Sequence, residues 1–215
     1  MATTEYEKWY REVQVKRTMD ALKKNNFDAR FAPDAADALK QIFSMVPEGA
    51  TVGVGGSVTL GQIGFFDEIK KHKVTLLNPA TPGLSPDDAL KLRKDILTAD
   101  VFLASSNAVT EEGELYNVDA TGNRVGAMTF GPKKVILVCG VNKIVKDIAE
   151  AEARVRDWTS PMNARRLSYK TPCAETGECV DCSSPQRICN IYVIFAKKPA
   201  RTDMTVLLVG ETLGL

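Results

Sequence analysis

The stretch Thr51 to Leu77, TVGVGGSVTLGQIGFFDEIKKHKVTLL, decides the fold. Thr51 to Val54 is a short β-rich run, and Gly55-Gly56-Ser57 follows it at once. Leu60 to Lys71 then reads as a helix, and Val74-Thr-Leu-Leu77 as the next strand. Strand, glycine turn, helix, strand is the unit of parallel sheets, because a helix must carry the chain back before it can pair in the same direction. The alternation continues on both sides. Glu5 to Asn25 predicts a helix with Val13, Met19 and Leu22 on its apolar stripe, and Phe27 to Phe31 alternates like a short strand. Asp34 is placed to cap a helix carrying Ala38, Leu39, Ile42 and Met45. Downstream, Ser85 caps another helix with Pro86 in its first turn, ahead of the strand Val101-Phe-Leu-Ala104. Val135 to Cys139 is a strand of the fully buried kind, and Asp147 to about Arg166 is helical with i,i+4 charge pairs. Ile191 to Phe195 and Thr205 to Val209 are the last strands. The expected fold class is α/β: one domain over residues 1–215, a mostly parallel sheet with helices on both faces.

Bulk properties narrow the function classes. A chain of 215 residues buries enough apolar surface to need no disulfides, and 44% hydrophobic with 26% charged residues is ordinary for a globular domain. A net charge of +1 gives no field that would draw nucleic acid or an anionic membrane. No run approaches the ~20 apolar residues that span a bilayer. The first eight residues mix acidic and basic side chains without an apolar core, unlike a secretory signal. The expected location is cytoplasmic. The single histidine, His72 in Lys70-Lys71-His72-Lys73, is expected on the surface, which disfavours His-rich metal sites and Ser-His-Asp or Cys-His catalysis.

Four cysteines crowd one loop. Cys173, Cys179, Cys182 and Cys189 follow a C-x5-C-x2-C-x6-C spacing, with glycine, proline and serine between them to permit tight turns. Four thiolates suit tetrahedral Zn²⁺ or an iron–sulfur cluster, and disulfides are disfavoured in a reducing compartment. Paired C-x2-C knuckles are usual for zinc and only one, Cys179/Cys182, is present. The uneven spacing and a proline beside a cysteine therefore favour [4Fe–4S] over zinc. Cys139, in an apolar strand, is expected to be a core thiol.

Two loops suit a small anion. Gly55, Gly56, Ser57 and Thr59 lie between a strand and a helix, where backbone N–H groups meet phosphate or carboxylate. The run lacks both the third glycine of a dinucleotide loop and the lysine of a Walker loop. The alternative is a plain tight turn with Ser57 or Thr59 as cap. The densest polar stretch, Ser105 to Arg124, begins where an open sheet binds its ligands. Ser106, Asn107, Asn117 and Arg124 could orient a polar substrate there, and Glu111 or Asp119 could act as acid, base or nucleophile. The competing reading is a hairpin with self-satisfied turns. Lys143 would add a cation at the same edge, unless it is simply solvated.

The motifs Gly55-Gly56-Ser57-x-Thr59-Leu60, Ser106-Asn107-Ala108-x-Thr110-Glu111-x-Gly113-x-Leu115-x-Asn117-x-Asp119 and Gly122-Asn123-Arg124-Val125 resemble the LUD-domain family of lactate-utilisation proteins. The resemblance continues through Gly131-Pro132-Lys133, Asn142-Lys143-Ile144-Val145 and Asn163-Ala164-Arg165-Arg166-Leu167, and so covers most of the chain. Cys179-x2-Cys182-Ser-Ser-Pro is similar to a subgroup of small stand-alone members. The resemblance implies a fold like that of ribose-phosphate isomerases, glucosamine-phosphate deaminases and CoA-transferases, and a homodimer. It also implies a part in oxidising L-lactate to pyruvate beside iron–sulfur partner proteins. The leading expectation is an accessory or electron-transfer component of organic-acid oxidation that binds a small anionic metabolite. An isomerase or CoA/acyl-transferase-like enzyme on a phosphorylated or carboxylated metabolite, or a zinc-stabilised scaffold or regulatory protein, are the alternatives.

Overall fold

The computed structural model describes residues 4–215. In chain order the strands are β1 (Asp28–Ala32), β2 (Thr51–Val54), β3 (Thr75–Leu77), β4 (Val101–Ala104), β5 (Ala108–Thr110), β6 (Leu115–Asp119), β7 (Lys134–Gly140), β8 (Ile144–Val145), β9 (Ile191–Phe195) and β10 (Asp203–Val209). The helices are α1 (Glu5–Lys24), α2 (Ala35–Ser44), α3 (Val58–Gln62), α4 (Phe65–Glu68), α5 (Pro86–Asp95), α6 (Asn123–Thr129), α7 (Ile148–Arg154), α8 (Ser160–Arg166) and α9 (Pro172–Thr176).

Six strands form an all-parallel sheet in the order β1-β10-β7-β4-β2-β3. Central β7 shows why its residues are apolar throughout. Ile136 and Val138 join a core with α2, α3 and α4, whereas Val135, Leu137 and Cys139 face α1, α6 and a second sheet. That second sheet, in the order β8-β5-β6-β9, carries α7 and the turn after it on its far side, through Ala151 and Val155 against Ala108 and Tyr116. Parallel strands covered on both faces agree with the expected fold class, and Cys139 is fully buried as expected.

Local signals landed where the chemistry is local. Thr4, Asp34, Ser85 and Asp147 cap α1, α2, α5 and α7 through their side chains. Two expectations need correction. The helix over Leu60 to Lys71 is broken, because Gly64 at φ +81° ends α3 and starts α4. The polar stretch from Ser105 to Arg124 takes the competing reading given above, a hairpin, β5–β6, followed by the start of α6. Ile191–Phe195 pairs antiparallel with β6 in the second sheet and does not extend the first. His72 stays on the surface, its ring stacked 3.9 Å from Phe43.

α7 and α8 are continuous, joined by a π-helical turn over Val155–Thr159. The turn leaves Trp158 exposed and buries the successive residues Thr159 and Ser160.

Candidate functional site

A cavity of about 640 Å³ opens at the C-terminal ends of three adjacent parallel strands, β2, β4 and β7. Each strand delivers one polar residue to a shared point: Thr59 from α3 after β2, Ser105 after β4, and Lys143 from a 3-10 turn after β7. Lys143 Nζ donates to Ser105 Oγ at 2.9 Å, to the Ser106 carbonyl at 3.3 Å and to Thr59 Oγ1 at 3.4 Å. Only 4% of the residue is exposed, and among the described residues no carboxylate side chain pairs with it. Burial pushes its amine down to about 8; the Cys139 thiol opposes that shift, and Arg154 and Arg124 add to it.

Arg124 is the brace of the cavity wall. Its NH1 donates to the Ser105 carbonyl at 2.9 Å and to Asn117 Oδ1 at 2.7 Å, and its NH2 to Asn107 Oδ1 at 2.9 Å and the Val118 carbonyl at 2.8 Å. Asp119 lies 3.6 Å from its Nε, while burial pushes the guanidinium pKa down. Gly55 explains itself here: a Cβ would come 2.8 Å from Phe102 Cζ and 3.2 Å from Arg124 Cγ. Gly56 sits at φ +46° with open space before it, so glycine serves its backbone conformation there.

Most of the polar residues expected to hold a ligand are occupied by the fold. Asn107 Oδ1 also accepts from the Val118 N–H, and Ser106 Oγ donates to the carbonyls of Ala108 and Tyr116. The Asp119 carboxylate accepts from the N–H groups of Thr121, Gly122 and Val125, and so caps α6, whose N-cap Gly122 has no side chain. Ser57 Oγ accepts from the Leu60 N–H, as a cap. Asn117 is buried behind the wall, with Nδ2 unbonded. Glu111 is not in the cavity: it pairs with Arg17 and accepts from Gln14 Nε2 at 2.8 Å, tying the hairpin to α1.

Three cations that sequence reasoning assigned no role complete the lining or its support. Arg93 and Arg166 line the cavity, and Arg154 donates to the Asn107 carbonyl at 2.9 Å and Thr159 Oγ1 at 2.7 Å. The only signal for Arg166 was its place in Asn163-Ala-Arg-Arg166. Among the described residues, the charged lining side chains are thus Arg93, Arg124, Lys143 and Arg166 against one carboxylate side chain, Asp119.

All four loop cysteines, Cys173, Cys179, Cys182 and Cys189, line a second cavity of about 260 Å³. Arg187 staples the loop: it pairs with Asp181 at 2.7 Å and donates to the carbonyls of Cys182 and Cys189. Arg156 reaches Cys179, which pushes the guanidinium pKa up. The Cys189 thiol donates to Ser160 Oγ at 3.2 Å, and burial pushes its pKa up. Sharing a cavity is not the same as converging on a point. Among the described residues, no three Cys, His, Asp or Glu side chains come together closely enough to hold a metal ion. The two cavities share Ile188 as a wall, and the π-turn sends Thr159 into the large one and Ser160 into the small one.

Comparison with known proteins follows the same outline. The family model described as the LUD domain matches residues 15–209. The crystal structure of a DUF162 family protein from Deinococcus radiodurans is similar in fold, with a TM-score of 0.52 at 16% identity, covering 93% of this chain and 98% of that one. eIF2B delta from Chaetomium thermophilum gives a TM-score of 0.34 at 17% identity, over 68% of this chain and 56% of that one. No curated protein matches the chain. No described helix is long and apolar enough to cross a membrane.

Proposed function

The chain belongs to the LUD-domain family, and from that premise we propose that it is a lactate-utilisation-type protein whose large cavity binds a small organic anion. In this reading it is an accessory or electron-transfer component of organic-acid oxidation. One observation carries the anion assignment: four cationic side chains face one carboxylate side chain in the lining, and among the described residues the buried amine of Lys143 has no acidic side chain paired with it. An unpaired buried ammonium is held at a cost, and an anion entering the cavity offsets it. The test is calorimetric titration of the purified protein with lactate, pyruvate and phosphate. Binding of at least one, weakened about tenfold or more in Lys143→Met, is expected, in keeping with charge-assisted contacts of roughly 1.5–3 kcal/mol. Failure of every carboxylate and phosphate to bind overturns the assignment.

The cysteine loop is the proposed holder of an iron–sulfur cluster, with zinc as the alternative. Supporting it are donors of the right kind and number on one cavity, with Arg156 and Arg187 to balance thiolate charge. Thiols that ring a cavity without converging suit a group wider than a single ion. Cys173, Cys179, Cys182 and Cys189 would be its ligands, and such a cluster supplies one-electron transfer. Anaerobic purification with elemental analysis decides between them: about four iron and four sulfide per chain for the cluster, or about one zinc for a structural site. The isomerase or transferase alternative loses the acid–base role expected of Glu111, which lies outside the cavity and in an ion pair with Arg17.

A further inference from the structure

Lys143 is more than a fixed positive charge. Its Nζ lies at the meeting point of three strand ends, against hydroxyl and carbonyl oxygens alone. The charged or titratable groups around it are the Cys139 thiol, Arg124 and Arg154; none is a carboxylate. The backbone of Gly214 packs directly against the amine: a Cβ there would press on Thr59 Oγ1 and stand 2.9 Å from Nζ, so only glycine fits on that side, while Lys143 itself lines the large cavity. A desolvated lysine beside other cations is the setting in which an amine becomes a nucleophile, because the neutral form is no longer rare near neutral pH.

We propose that Lys143 is a covalent site: its amine condenses with a small aldehyde or ketone that also carries a carboxylate or phosphate. The proposal rests on the reading of the large cavity as an anion pocket, whose surplus of cations would hold the ligand's charged group while its carbonyl meets Nζ. The neutral amine adds its lone pair to the carbonyl carbon and forms a C–N bond. The carbonyl π pair moves to oxygen, and a proton passes from nitrogen to that oxygen, giving a carbinolamine. Loss of the oxygen as water breaks the C–O bond and leaves an imine. The balance is one amine plus one carbonyl giving one imine plus one water, with no change of oxidation state. Ser105 Oγ, 2.9 Å from Nζ, is the hydroxyl placed to relay the proton.

The test traps the imine on the whole protein. Wild-type protein is incubated near pH 8 with pyruvate in one arm and dihydroxyacetone phosphate in the other, then reduced with borohydride and mapped by peptide mass spectrometry. The expected result is one adduct per chain, on the peptide carrying Lys143, with the mass of the ligand less one oxygen atom. An adduct in the pyruvate arm alone assigns a carboxylate ligand, and one in the other arm alone assigns a phosphate. No adduct on Lys143 in either arm, or labelling spread evenly over exposed lysines, overturns the proposal. Lys143→Arg cannot form an imine, so it should lose the adduct at least tenfold. Anion binding by wild type without any adduct leaves the pocket standing and removes the covalent step. Absence of both removes both.

Discussion

At the scale of single residues, Lys143 ties stability to proton binding. Its amine titrates at about 8 when folded, against an ordinary value of 10.5. Between those values the unfolded chain binds a proton that the folded chain does not, so stability rises with pH across the window. Below about pH 8 the folded protein carries the full cost of a buried charge, on the order of 3 kcal/mol. Lys143→Met is therefore expected to stabilise the protein at pH 7 by up to about 3 kcal/mol, with the gain gone near pH 10.5. Urea denaturation at pH 7 and pH 10 checks this; a variant that is less stable at pH 7 than at pH 10, relative to wild type, contradicts it. Gly55 is the converse case. An added methyl would press on Phe102 and Arg124, so Gly55→Ala should lose roughly 1–3 kcal/mol and loosen the brace beside the cavity. Neither effect is visible in the string of letters. Val141-Asn-Lys-Ile reads as a place where a lysine would reach solvent, and its burial follows from three strand ends meeting far apart in sequence. The glycine loop was legible as a tight turn, but the clash that requires glycine involves Phe102 and Arg124.

Elements show the same division between near and far. Strands β2, β4 and β9 begin and end where their apolar runs do, and α2, α5 and α3 start at the caps that the sequence offers, Asp34, Ser85 and Ser57. These signals act over a few residues, so the sequence displays them. The second sheet was hidden, because its β6–β9 pairing joins residues 115–119 to 191–195 across two helices and the cysteine loop. The hairpin was legible only as one of two readings, for another reason. Its polar residues satisfy one another, and from sequence alone self-satisfied polarity looks the same as polarity held ready for a ligand. Glu111 is the clear instance. It joins the β5–β6 turn to α1 through Arg17 and Gln14, and Arg17 is half exposed. Glu111→Gln should cost less than about 1 kcal/mol, as exposed pairs do, and leave anion affinity unchanged within about twofold. A loss of affinity beyond about tenfold, measured by the same titration, would return Glu111 to the site.

For the molecule as a whole, the arrangement of two cavities with one wall between them sets an expectation. Ile188 belongs to both, and it stands one residue before Cys189. Drawing the four thiols together is expected to move that wall, and by linkage a ligand in one cavity would then change affinity in the other equally in both directions. Protein loaded with metal under anaerobic conditions and metal-free protein should therefore differ in anion affinity, on the order of fivefold or more if the coupling is typical. Calorimetry on both forms measures the difference, and identical affinities would mean that the wall is rigid and the two sites independent.

The π-turn at Val155–Thr159 also says where the helix tolerates a change of length. A π-turn holds one residue more than the α-turn it replaces, and takes that residue up within its own width. Excising a single residue there would restore a regular helix and leave the residues after it close to their present directions. Ser160 would stay by Cys189, and Asn163 and Arg166 would stay on the large cavity. The loss of that one codon would fall on the turn itself, where Thr159 holds Arg154.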